Sequence, residues 1–451
     1  MRGFGALAKI RLPHHSPEWR NGRRDGLKIR WGQPHESSTL SSGMTAPHRR
    51  VNANRAITHA ITRTGAAGCL LAAAVTWALC GAGTGVQKAQ ATPRALSCNA
   101  CHEQIVTTFV QTAHFKTSAE ATARSIKGSF AAGHNVLRTG VPGIHFKMEQ
   151  RHGAFYQTGV DSSQSRARTE RIDLVVGSGR RGQSYLYWRN GLLFELPVSY
   201  LAGLDRWINS PGYTDGTIDF ARVIVPRCLE CHSTSFKLQQ ERRALQYSRE
   251  YELGISCEKC HGDGRRHVQN QSSHPAEIRG KYILNPARFS RDRKLDNCAL
   301  CHSGLRDELR PAFSYRPGER LDDYLLPQSD RDAPIPDVHG DQVGLLRRSK
   351  CFRASPTMSC STCHDVHRPQ RDLAPFASKC LACHQISQHP MAARIGVRMI
   401  SSCIDCHMPN QRSHAIQINT PATQPSLSFR NHAIGIYPEV AATILQSGKE
   451  R

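Results

Sequence analysis

The sequence predicts a mainly α chain with long loops and a small inserted β-rich segment. Three observations point there. Seven Cys-x-x-Cys-His motifs run from Cys98 to His407 and take fourteen of the seventeen cysteines. Apolar residues are only 39% of the chain and aromatic residues 7%, a thin supply for the interior of 451 residues. One stretch, centred on Asn190-Gly191, carries a two-residue hairpin signal between Tyr185, Tyr187, Trp188 and the return run Leu192 to Leu196.

The motifs are Cys98/Cys101/His102, Cys228/Cys231/His232, Cys257/Cys260/His261, Cys298/Cys301/His302, Cys360/Cys363/His364, Cys380/Cys383/His384 and Cys403/Cys406/His407. Paired Cys-x-x-Cys units also build zinc sites, and exported thiols pair as disulfides. Neither chemistry asks for His after the second Cys in every copy, yet His is scarce here, 23 of 451 residues. Covalent c-type haem does ask for it. The two thiols add to the porphyrin vinyl groups and the adjoining His binds the iron axially. Seven such cofactors are therefore expected, and they would supply the apolar interior that the chain lacks. The predicted fold is haem-cored. The last three motifs fall within Cys360 to His407, so their porphyrins must nearly touch.

Taken in order, residues 1–43 are basic and rich in His and Pro, a dubious leader before Met44. Residues 44–91 read as a signal peptide. Arg49, Arg50, Arg55 and Arg63 precede an apolar run from Ala66 to Gly81, and Ala89-Gln90-Ala91 is a small-x-small cleavage site. Cys69 and Cys80 would leave with it. An uncleaved run would instead anchor the chain in a membrane, although it is short for a span. Residues 92–127 are the first haem segment, with Ile105, Phe109, Val110 and Ala113 at helical spacing. Residues 128–221 are the β-rich insert, with a strand expected over Ile172 to Val176. Residues 222–305 hold haems two to four. Residues 306–337 are a charged, Pro-rich linker. Residues 338–420 hold haems five to seven. The tail, 421–451, has a helix candidate from Glu439 to Leu445.

Function turns on the sixth coordination position of each iron. With two protein ligands a haem only moves electrons; with one it can bind a small molecule. Beyond the seven motif histidines, eleven more follow residue 97. His114, His267, His339, His367, His389 and His414 are the expected distal ligands. His134, His145 and His432 compete for the seventh place, with hydrogen bonding to a propionate as the alternative. Met148, Met358 and Met408 are further candidates, more ordinary as packing residues. Cys351 is left over, either a buried thiol or a ligand.

The net charge of +24 overstates the mature chain, because residues 1–91 carry thirteen Lys and Arg against three Asp and Glu. From Thr92 on, 37 of the 47 basic residues are Arg, which suits bidentate pairing with propionate carboxylates. Propionates account for the basic residues and no nucleic-acid motif appears, so nucleic acid is not an expected partner.

Several stretches resemble multihaem cytochromes c related to the tetrahaem electron acceptor of hydroxylamine oxidoreductase and to pentahaem nitrite reductase. They are CHEQIVTTFVQTAHF at Cys101 to Phe115, GISCEKCHGDGRRHV at Gly254 to Val268, SCSTCHDVH at Ser359 to His367 and CIDCHMP at Cys403 to Pro409. The hairpin segment GSGRRGQSYLYW, Gly177 to Trp188, resembles a module of large multihaem proteins. The resemblance implies closely stacked haem pairs with mostly bis-His iron, and His114, His267 and His367 fall at positions that look like distal ligands. The chain departs from the enzymes of the group. It has no Cys-x-x-Cys-Lys motif, and seven motifs rather than eight.

The expected function is a periplasmic or otherwise exported carrier of single electrons. Its partners would be transient redox proteins, among them a membrane quinol-oxidising complex. The alternative is an oxidoreductase acting on a small nitrogen or sulfur compound at one five-coordinate haem. Purified holoprotein should give a pyridine haemochrome spectrum of thioether-linked haem at seven per chain. The double variant Cys403→Ala/Cys406→Ala should lower that count by one. A zinc-to-chain ratio in place of haem overturns the reading.

Overall fold

Strand, more than helix, organises residues 118 to 209 of the computed structural model, which describes residues 97–239, 245–327, 336–396, 399–421 and 427–447. The leader, the signal peptide with its apolar run and cleavage site, and Cys69 and Cys80 lie outside the described residues. The ten strands of this region are β1 Ser118–Glu120, β2 Val136–Arg138, β3 Ile144–Arg151, β4 Ala154–Asp161, β5 Arg166–Ile172, β6 Leu174–Val176, β7 Gly182–Arg189, β8 Leu192–Glu195, β9 Val198–Leu201 and β10 Arg206–Asn209. They make two antiparallel sheets. One runs β2-β3-β4-β5; the other runs β1-β6-β7-β9-β10, with β8 also paired to β7.

Alternation sets which side chains go inward. Phe146 and Met148 of β3 are fully buried while Lys147 between them is exposed. They meet Phe155, Ile172, Tyr185, Tyr187, Tyr200 and Trp207 in a core shared by both sheets. The second sheet is covered on its other face too. There Leu174, Leu186 and Leu193 pack with Leu229, Phe236 and Tyr247. Burial on both faces explains the unbroken apolar run of β7, Tyr185 to Trp188. Asn190 and Gly191 both adopt positive φ, 51° and 77°, as the two-residue turn between β7 and β8 requires.

The expectation of a mainly α fold is wrong. Of the described residues 30% are helical and 23% are strand, in several antiparallel sheets. Two hairpins lie outside the insert: β11 Ser233–Leu238 with β12 Tyr247–Leu253, and β13 Asn410–Arg412 with β14 Ser428–Arg430. The helices are fewer and shorter because a Cys-x-x-Cys-His motif needs only one helical turn. Pro226–His232 has seven residues and Glu258–His261 and Cys360–Cys363 have four each; Arg291–His302, with twelve, is the longest around a motif. The helix from the first motif stops at Phe109, short of His114.

The protein's own apolar core lies mostly around the sheets. Helices Glu258–His261, Arg265–Ser273, Cys360–Cys363 and Ala392–Ile395 bury no residue at all. Helices this short are not stable without a packed face, so the motif regions depend on an apolar surface other than protein. The stretch 306–337 is more than linker. Leu321, Tyr324 and Leu325 bury against Ala299 and Leu300 of helix Arg291–His302.

Trp207 is the hub of the shared core. Phe130, Tyr185 and Tyr200 surround it with ring centres at 5.5, 5.8 and 5.5 Å, and its indole N–H donates to the Ser129 carbonyl at 3.0 Å. Trp207→Ala is expected to cost about 3–5 kcal/mol, read as a lower urea midpoint by circular dichroism. A midpoint unchanged from the parent protein would show that this core is not under load.

Candidate metal centres

Each motif closes on itself. The amide of His261 donates to the Cys257 carbonyl at 2.9 Å, that of His364 to Cys360 at 2.8 Å and that of His384 to Cys380 at 3.0 Å. One turn thus groups two thiols and an imidazole. None of the fourteen motif cysteines, nor Cys351, is in a disulfide. Thiols of different motifs come into hydrogen-bonding reach: Cys98 with Cys257, Cys231 with Cys301, and Cys298 with Cys360. Cys260 lies in electrostatic range of Cys298, and Cys380 in range of both Cys363 and Cys403. The motifs therefore form one connected set: first, third, fourth, fifth, sixth, seventh, with the second beside the fourth.

Five of the motif histidines face a second imidazole. His102 faces His267 with ring centres 6.4 Å apart, His302 faces His114 at 6.1 Å, and His261 faces His367 at 6.1 Å. His364 faces His432 at 6.3 Å and His407 faces His389 at 6.0 Å. In every pair one ring belongs to a motif and the other does not. Two imidazoles sharing one metal place their centres about 6.2 Å apart, from metal–nitrogen bonds of ~2.0 Å and ~1.1 Å from nitrogen to ring centre. Parallel rings in contact would stack at about 3.5–4 Å. Three pairs are nearer to parallel, at 19°, 31° and 27°, and two nearly perpendicular, at 80° and 76°.

The partners arrive by separate routes. Gly262, at φ 73°, turns the chain after the third motif, and helix Arg265–Ser273 then presents His267 to the first. His114 lies in the turn after helix Asn99–Phe109. His367 is fastened by Thr108, whose hydroxyl donates to its carbonyl at 2.8 Å. His432 comes from the tail, its carbonyl accepting from the Ser349 hydroxyl at 3.0 Å.

Second contacts set the tautomers. The Nδ1 atoms of His261, His267, His407 and His432 lie 2.8, 3.0, 2.7 and 3.1 Å from backbone carbonyls of Leu284, Lys281, Gly435 and Arg430. A carbonyl only accepts, so Nδ1 carries the proton and the Nε2 lone pair is free for a metal. His302 and His364 make the same bond to the side-chain oxygens of Gln342 and Gln370 at 3.2 and 3.3 Å. Burial, with neighbouring imidazoles adding to it, pushes His114, His232 and His432 down to about 4, keeping them in the neutral, ligating form. His389 differs: its Nδ1 accepts from the Met391 amide at 3.1 Å, a contact that has to give way before a neutral ring can offer its Nε2 lone pair to a metal.

The remaining candidates are placed as follows. His339 exerts the larger of two imidazole influences on His232, after burial itself, and its ring lies 5.1 Å from Phe429. His414 is exposed, its amide bound to the Asp337 carboxylate at 2.7 Å. Asp337 also binds the His339 amide and the Ser413 hydroxyl, so His414 is tethered beside His339. His145 is in β3, on the face opposite Phe146. His134 and His152 lie in turns of the same region. Met148 is fully buried in the shared core. Sequence reasoning ranked His432 behind His414, because nothing near residue 432 marks it.

These side chains fit haem. Among the described residues no group of three or more His, Cys, Asp or Glu is placed to hold a bare metal ion. A haem iron takes four ligands from its porphyrin and asks the chain for one or two. Facing imidazoles, adjacent thiols and helices without a buried protein face supply the rest of the requirement.

Between the second and fourth motifs lies a buried ion pair. Arg227 donates to Glu230 at 2.6 Å and to the Leu300 carbonyl, with the two side chains 8% and 3% exposed. The other Glu230 oxygen accepts from the Phe313 amide at 2.6 Å.

Residues 214–262, which hold the second and third motifs, match the family described as cytochrome c554 and c-prime. No curated protein matches the sequence. Among solved structures, the outer cell wall cytochrome OcwA is similar at 15% identity, over 77% of this chain and 80% of that one, with a TM-score of 0.49. An undecahaem cytochrome from the S-layer of Carboxydothermus ferrireducens is similar at 13% identity, over 79% of this chain and 60% of that one, with a TM-score of 0.35. The motifs and the family match together support a multihaem c-type cytochrome, with covalently bound haem iron and electron transfer as its chemistry.

Arg227→Met removes one half of a buried pair and is expected to cost about 3–5 kcal/mol. Adding Glu230→Gln should recover part of it, measured as thermal midpoints of the holoprotein. Equal midpoints for parent and single variant would refute the strain-free burial of this pair.

Proposed function

We propose that the protein is an exported carrier of single electrons, working through seven haems attached at its seven motifs. The five facing imidazole pairs carry this reading. We assign His267, His114, His367, His432 and His389 as distal ligands opposite His102, His302, His261, His364 and His407, and His339 as the cap opposite His232. An iron held on both sides by imidazole changes charge without changing ligands, which suits outer-sphere transfer. The contacts between motif thiols support a continuous route from the first motif to the seventh, with the second as a side branch at the fourth.

Its place is outside the cytoplasm, in the periplasm or beyond it. Haem attachment of this kind belongs there, and the apolar run before Ala89 fits export. Among the described residues no helix is long and apolar enough to cross a membrane. The partners we expect are redox proteins that dock transiently, with a quinol-oxidising membrane complex as one source of electrons. Nucleic acid is not among them.

Electron paramagnetic resonance of the oxidised protein tests the assignment. Near-parallel imidazole planes separate the iron dxz and dyz levels, whereas perpendicular planes leave them nearly degenerate. Three rhombic low-spin signals are expected from the pairs at 19°, 31° and 27°, and two of large g anisotropy from those at 80° and 76°. His267→Ala should remove one rhombic signal, and His114→Ala one of the anisotropic pair. Mostly high-spin iron in the parent protein would sink the carrier reading.

A further inference from the structure

The imidazoles can be followed one by one. From residue 97 on there are eighteen, all in the described residues. Ten are taken by the five facing pairs, and His232 has His339 beside it. His414 is held beside His339 by its backbone amide, both amides being bound to the Asp337 carboxylate. His274 is tied to the end of its own helix, its Nδ1 3.0 Å from the Asn270 carbonyl. His134, His145 and His152 belong to the four-stranded sheet and its turns. Two motif histidines stand outside the facing pairs, His232, which has His339 within electrostatic reach, and His384, for which no such imidazole is found among the described residues. The motif is also at the surface: Cys383, His384 and Gln385 are all exposed. It is not isolated, since Cys380 lies in electrostatic range of the fifth motif through Cys363 and of the seventh through Cys403.

We infer that the haem attached at Cys380 and Cys383 has His384 as its only protein ligand, and that its open side binds small molecules from solvent. The ligand class follows from iron chemistry. Ferrous haem takes neutral diatomics such as carbon monoxide and nitric oxide; ferric haem takes small anions such as cyanide and nitrite. The chain would then be a carrier with one ligand-binding centre set within its route. This inference rests on the haem-attachment reading above.

Carbon monoxide titration of the dithionite-reduced holoprotein tests it, followed in the Soret band. One equivalent per chain is expected, with one high-spin ferric signal in the oxidised protein. The double variant Cys380→Ala/Cys383→Ala should lose that equivalent together with one haem by pyridine haemochrome. Carbon monoxide binding that is unchanged in this variant overturns the assignment to the sixth motif. Should the variant not accumulate, the parent protein decides: no carbon monoxide bound and wholly low-spin iron overturn the proposal, and they leave the carrier reading standing. Absence of thioether haem would instead defeat both.

Discussion

Two imidazoles held about 6 Å apart, with a metal's width between them, are the constraint on which the rest of the molecule depends. The spacing recurs five times, from 6.0 to 6.4 Å. All five pairs join a motif to a residue from another motif's neighbourhood or from the tail. Closing loops of that length costs entropy that a handful of exposed single-turn helices does not recover. Metal bonds would, since a site absent from the unfolded chain makes binding energy into folding energy. The chain in the motif region is best understood as straps between irons.

The sheets solve a different problem. They have a protein core of their own, and they hold the straps in register. The bolts are specific. The turn that carries His114 runs straight into β1, where the Ser118 hydroxyl donates to the His232 carbonyl and accepts from the Gly254 amide at 2.9 Å. The Ile255 amide donates to the His114 carbonyl at 3.0 Å. Thr117 shares a hydrogen bond with Nδ1 of His232 at 3.0 Å. Residues 114–118 therefore locate one distal imidazole, one motif imidazole and the approach to the third motif at once. Tyr251 of β12 adds a hydrogen bond to Glu120 of β1. An aromatic-rich β insert between the first and second motifs is thus the frame against which the early motifs are aligned.

How much of this could be read from sequence differs by the range of the interaction. Haem attachment needs two thiols and an imidazole within one helical turn, so it writes itself into five contiguous residues, a pattern that the sequence carries seven times. The second ligand is brought by the iron from wherever the chain passes, and no local pattern accompanies it. His267 and His367 stand out as candidates because they follow a motif closely. His432 does not, because what places its ring opposite His364 is a Ser349 hydroxyl more than eighty residues away in the chain. The helical bias of the prediction has the same origin. Seven motifs each call for a helical turn and so weight the expected fold towards helix, but a turn such as Glu258–His261 ends with its His. β11 and β12 were overlooked for want of alternation strong enough to outweigh two flanking motifs, although Phe236, Tyr247 and Tyr251 are a strand-like set.

The second contacts of the imidazoles make the centres unequal. A backbone carbonyl on Nδ1 pushes electron density into the ring and favours the oxidised metal. His261, His267, His407 and His432 have that contact. The Gln342 and Gln370 side chains take the same place on His302 and His364, at longer distance. Buried charge adds to this between the second and fourth motifs, where Arg227 is matched by Glu230 while half-buried Lys259 lies over Phe313 at 4.8 Å with burial holding its pKa down. Like motifs are therefore not like centres. The attachment chemistry repeats along the chain, and the atoms one bond further out set the order in which electrons settle.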